Sequence, residues 1–140
     1  MLARKPGDGK ARMSENVNRD PLSTIQAAHS RIDAWFETTR SALVSDDAAS
    51  ACAQLREVLE THFAQEEELY FPTLWQLRPD HEKTLRGLIT AHAIYLGKVD
   101  ETAEFVGAGR PDAAVACFEE LQKLFAAHEV EEEETLRAMR

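Results

Sequence analysis

A chain of 140 residues, 44% hydrophobic and with only six glycines and five prolines, suits one compact domain with a core of its own. Its formal net charge of -9 argues against nucleic acid or an anionic membrane as partner, since either needs a basic face, and it suits cations. The two cysteines, Cys52 and Cys117, have no C-x-x-C spacing, which argues against a zinc knuckle or disulfide framework and fits a reducing cytoplasm.

Ala, Leu, Glu, Gln and Arg dominate and β-branched residues are sparse, so propensity points to an all-α chain. Residues 1–19 carry basic residues but no apolar stretch of the signal-peptide kind, and no later segment has 18 uncharged apolar residues in a row. They read as a flexible polar tail, with Met13 an alternative start, ahead of a domain over 20–140.

Asp20 and Pro21 form a helix-start signal, and Ile25, Ala28, His29, Ile32, Trp35, Phe36, Thr39 and Leu43 then recur at helical spacing. A second face runs through Cys52, Leu55, Val58, Leu59, His62, Phe63, Glu66, Leu69 and Tyr70; Pro72 is expected to kink its last turn, and the helix to end near Gln76. Pro79 and Asp80 open a third helix bearing Leu85, Leu88, Ile89, His92, Tyr95, Leu96, Val99 and Phe105, with Gly107 as its expected C-cap. Pro111 and Asp112 open the fourth, with Val115, Phe118, Leu121, Leu124, Phe125, His128, Glu132, Leu136 and Met139 on one face. Connections of a few residues force such helices to fold back on one another, which predicts an antiparallel up-down-up-down four-helix bundle.

Counting residues from each turn puts His29, His62, His92 and His128 at one height, to about 3 residues, or roughly 5 Å at helical rise. Each lies on the apolar face of its own helix, so four imidazoles from four helices are expected to converge in one layer. A residue four positions on lies about 40° around and about 6 Å along a helix, so Glu66 and Glu132 point into the same interior. Each half of the chain thus holds a lone histidine followed by His-x-x-x-Glu, a weak internal repeat. Buried carboxylates without partners cost several kcal/mol, and a pair of metal ions resolves that conflict. Imidazole and bridging carboxylate together fit two iron ions best, joined by oxo or hydroxo, with zinc or another divalent metal also compatible.

The elements "AHSRID", "THFAQEEELYFPTL", "TAHAIYL" and "AAHEVEEEE", in this order, resemble the hemerythrin-like family, or HHE cation-binding domains, over residues 22–140. The resemblance implies a non-haem di-iron centre that binds oxygen reversibly, senses oxygen, iron or peroxide, or reacts with nitric oxide. Its matching positions are His29, His62 with Glu66, His92, and His128 with Glu132. The chain departs from the oxygen carriers of that family in two ways. Leu96 stands where they have a second histidine on the third helix, leaving Tyr95 and Tyr70 as candidate phenolates for the vacancy. The last helix also offers Glu132 or Glu133 as bridging carboxylate, and Glu132 is preferred because it mirrors Glu66. Loss of the fifth histidine favours sensing, redox or iron handling over simple oxygen carriage.

Plainer readings hold for other residues. Glu67, Glu68, Glu131 and Glu134 read as solvated, and so does Asp33, although it stands to His29 as Glu66 does to His62. His81 falls about 16 Å along the axis from His92 and is expected at the surface. Trp35, Phe63, Phe118 and Phe125 are expected to pack the core, as are Cys52 and Cys117. A small diatomic ligand or peroxide is the expected partner. A di-iron oxidase or peroxidase-like enzyme and a metal-stabilised regulatory module are the competing readings.

Overall fold

The computed structural model describes residues 20–139, all of whose regular elements are helical. The expectations for residues 1–19 and for Met13 lie outside the described residues. Helix α1 spans Pro21–Ala42, α2 Ala48–Gln65, α3 Phe71–Leu77, α4 Glu82–Gly107 and α5 Pro111–Ala138. A π-helical turn, Glu66–Tyr70, joins α2 to α3 as one rod, and a 3-10 turn, Pro79–His81, leads into α4.

Local chemistry accounts for most boundaries. The Asp20 side chain accepts the Ser23 backbone N–H, so it caps α1 while Pro21 fills the first helical position. Pro111 opens α5 in the same way. Gly109, not the expected Gly107, takes the left-handed conformation at the α4–α5 turn, with φ 70°; α4 runs through Gly107 and stops at Ala108. Instead of a simple kink at Pro72, the preceding turn widens, and Phe71 N–H bonds the Glu66 carbonyl five residues back. A proline ring in a regular α-helix meets the carbonyl four residues before it, and the wider register relieves that clash. At the end of this turn and beyond it, Tyr70, Phe71 and Leu74 face inward, while Leu69 is only partly buried.

α1 packs on α2 and α5, and α4 packs on the same two, so the rods close into a helical bundle. One apolar cluster gathers Phe36, Leu55, Leu59, Val99, Phe118 and Leu121, and a second gathers Ile25, Phe71, Leu74, Leu85, Leu88 and Leu136. Burying each large side chain of this kind contributes roughly 1.5–3 kcal/mol. Along every rod a buried histidine lies between the two clusters, on two of them with a buried glutamate: His29 on α1, His62 on α2 with Glu66 opening the π turn, His92 on α4, His128 with Glu132 on α5. Two expected core positions behave otherwise: Trp35 is 36% exposed and Leu124 39%. Cys52 and Cys117 are buried free thiols, and none of the described helices is long and apolar enough to cross a membrane.

Candidate metal centre

The four histidines and two glutamates singled out by spacing meet in the interior. Glu66 and Glu132 are fully buried, and all four imidazoles are at most 5% exposed. Donor atoms of His29, His62, Glu66 and Glu132 lie within 4.8 Å of one another, and so do those of Glu66, His92 and His128. Glu66 is common to both groups, whereas Glu132 falls in the first alone.

Donor atoms within the cluster approach one another closely. Glu66 Oε2 lies 3.0 Å from His62 Nε2, and Glu66 Oε1 lies 3.0 Å from His92 Nε2. Neither approach has hydrogen-bonding angles: both Glu66 oxygens, His92 Nε2, His128 Nε2 and Glu132 Oε2 are buried without a hydrogen-bond partner. Such an orphaned group costs about 1–3 kcal/mol, more if charged, and a cation in each donor group is a partner that such atoms could share. Hard carboxylate oxygen with imidazole nitrogen is a donor set suited to iron or zinc.

Two glutamates read from sequence as solvated or alternative do more than that. Glu67 Oε2 is 2.7 Å from His92 Nδ1, and Glu133 Oε2 is 2.9 Å from His29 Nδ1. A carboxylate can only accept, so each holds the ring proton on Nδ1 and leaves Nε2 turned toward the interior. Glu133 is itself steadied by Gln26 at 3.3 Å and faces Arg137 at 3.9 Å. The repeat therefore extends by one residue: in His-x-x-x-Glu-Glu the first glutamate enters the cluster and the second orients the lone histidine of the other half. Glu68, Glu131 and Glu134 are exposed, as expected.

Burial, then the neighbouring Glu66, pushes the Glu132 carboxyl well above its ordinary range, so it is protonated and can donate to His29 Nε2 at 2.7 Å. Burial works against ionised Glu66 as well, but the close approach of Glu132, His62 and His92 to its two oxygens outweighs it and holds Glu66 low. Burial lowers His29, and lowers His128 to about 4, so both rings are neutral near pH 7 and ready to ligate. Burial raises Tyr95 to about 12, aided by Glu131 and Glu132, which favours the phenol over a phenolate; its ring lies 4.9 Å from that of His128. Tyr70 packs in the second apolar cluster. Phe63 stacks on His92 at 3.9 Å and 7°, fixing the plane of that ring.

His81 stands apart, beside Arg78 at 3.1 Å and Asp80 at 3.6 Å. Sequence reasoning missed Glu129, which is only 9% exposed and has a buried Oε2 without a partner. Burial, then Asp33, raises its carboxyl to about 9. Its position directly after His128 places it beside the inward face, a signal that was available in the helical phase. A groove of about 440 Å³ between α1 and α2, walled by Ala28, Trp35 and Thr61, reaches His62.

A helical bundle with buried His/Glu clusters of this kind fits a metal-binding protein. The chain belongs to the hemerythrin family, whose model, the hemerythrin HHE cation-binding domain, matches residues 20–139. No curated protein and no solved structure matches it.

Proposed function

We propose that this chain is a non-haem di-iron protein that binds or senses oxygen, peroxide or nitric oxide, with His29, His62, Glu66, His92, His128 and Glu132 as ligands. The observation that carries the reading is the set of buried oxygen and nitrogen atoms that face one another without hydrogen bonds. His29, His62 and Glu132 would hold one ion, His92 and His128 the other, and Glu66 would span both. Bound iron supplies a redox-active site for a small ligand. The protein's own part is to keep the histidine protons on Nδ1 through Glu67 and Glu133, and to surround the centre with Phe63, Phe71, Tyr95 and Phe125.

The antiparallel arrangement belongs to the same reading. Gln26 with Glu133 and Arg40 with Glu119 pair α1 and α5 in opposite senses, and Glu67 with His92 and Arg56 with Asp100 do so for α2 and α4. The second group has three donors against four, and Leu96 packs against the apolar cluster where the oxygen carriers have a histidine. That favours sensing or redox chemistry in a reducing cytoplasm over oxygen carriage, with residues 20–140 as the domain.

Adding oxygen to the reduced, iron-loaded protein separates the readings. A new visible absorption band that reverses on degassing supports binding. Consumption of excess peroxide supports an oxidase or peroxidase-like enzyme. A colourless protein filled with zinc contradicts the di-iron assignment and leaves a metal-stabilised regulatory module.

A further inference from the structure

We propose that the groove between α1 and α2 binds a small organic carboxylate, with Arg31 holding its charge and His62 beside it. The contact to a metal ligand rests on the metal-centre reading above; the docking itself does not. Arg40, Arg56, Arg78, Arg86 and Arg137 each face a carboxylate at 2.7–3.9 Å. Arg31 has no ion pair or hydrogen bond among the described residues, in a chain of net charge -9. It lines the groove of about 440 Å³, a volume that suits a small molecule. A planar guanidinium matches a carboxylate with two parallel hydrogen bonds. Ile32, Val58 and the partly exposed Trp35 give the same groove an apolar wall for the body of such a ligand.

Placement relative to His62 favours Arg31 over Glu57, the carboxylate of the lining. Glu57 lies five residues before His62, about 7.5 Å along α2. Arg31 lies two residues after His29, about 3 Å along α1, and the His29 ring is 5.8 Å from that of His62. A ligating imidazole as a rule gives its second N–H to an acceptor. Glu133 is that acceptor for His29 and Glu67 for His92. Among the described residues no side chain plays this part for His62 or His128, and of these two it is His62 that lines the groove. Its Nε2 is 3.0 Å from Glu66 Oε2, and the two ring nitrogens diverge, so Nδ1 is turned away from Glu66. A carboxylate held by Arg31 would accept the Nδ1 proton and do for His62, from outside the chain, what Glu67 does for His92.

Benzoate is the probe. With Trp75→Phe in the full chain, Trp35 is the single tryptophan, and its fluorescence reads docking without metal. A saturable change is expected, with affinity at least 5-fold weaker in Arg31→Gln and unchanged in Arg86→Gln, whose arginine lies outside the groove. Benzamide, the same body without the charge, and inorganic phosphate, a charge without the body, should each bind at least 5-fold more weakly. No saturable change, or equal affinity in Arg31→Gln, overturns the site; benzamide or phosphate binding as tightly as benzoate overturns the ligand class. In zinc-loaded protein, benzoate should shift the ¹⁵N NMR signal of His62 Nδ1 and leave that of His92 in place. Docking that leaves His62 unmoved overturns the contact to a metal ligand. A chain that takes up no zinc overturns the metal-centre reading and that contact with it, while Trp35 still decides the groove.

Discussion

Individual side chains divide into those whose role follows from phase along one helix and those whose role depends on a neighbour across the bundle. His62 with Glu66 and His128 with Glu132 are one turn apart, so spacing alone puts each pair on one interior face. Glu67 and Glu133 lie one position further on; the first reads from sequence as solvated and the second as an alternative bridging carboxylate. Only the packing of α2 on α4 and α5 on α1 brings them to His92 and His29. Because an outer carboxylate fixes the tautomer and basicity of a ligating imidazole, Glu67→Gln should weaken metal affinity by about 10- to 100-fold. Chelator competition measures this, and Glu68→Gln, at an exposed neighbour, should change it little.

Whole helices were legible from their start signals and periodicity, and the connections from their brevity. The π turn was not legible, because periodicity treats Pro72 as a kink and has no means of counting a carbonyl that skips to the fifth residue. A π turn is an α-helix with one residue too many, so removing one should restore the α register without rotating the downstream residues. Deleting Glu68 together with Pro72→Ala, which relieves the ring clash, should leave Phe71 and Leu74 in the core. Deleting Glu131 from the regular α5 should rotate Leu136 by about 100° and cost several kcal/mol. Urea denaturation of the two deletions compares them directly; equal losses would contradict this origin of the turn. Truncating Phe63, stacked on His92, to alanine should cost about 3–5 kcal/mol in the same measurement.

For the molecule as a unit, the buried polar layer makes the metal-free fold depend on pH in an unusual direction. Glu129, at about 9, and Glu132 are raised above the ordinary 4.5, so the folded state holds protons that the unfolded chain has released. Stability from a raised group is present below its unfolded pKa and is lost as pH rises toward the folded one. His29 and His128, both lowered, act in the opposite sense, but only below about 6.5, where the unfolded histidines gain protons. Between pH 6.5 and 9 the carboxyls therefore act alone, and the metal-free protein should lose up to about 1.4 kcal/mol per carboxyl per pH unit. On the ligand set proposed above, metal takes the place of the proton on Glu132, so the loaded protein should show a shallower slope and should release protons on loading at pH 7. Urea midpoints across this range, with and without metal, check both statements.

Metal content per chain after anaerobic purification, set beside that of His62→Ala and Glu66→Ala, tests the central claim most directly. Two iron ions are expected in the wild-type chain, one or none in His62→Ala, and none or a single weakly held ion in Glu66→Ala, which removes the residue common to both donor groups. A folded wild-type chain that binds no metal, or variants that both retain two ions, would contradict the di-iron assignment and its ligands.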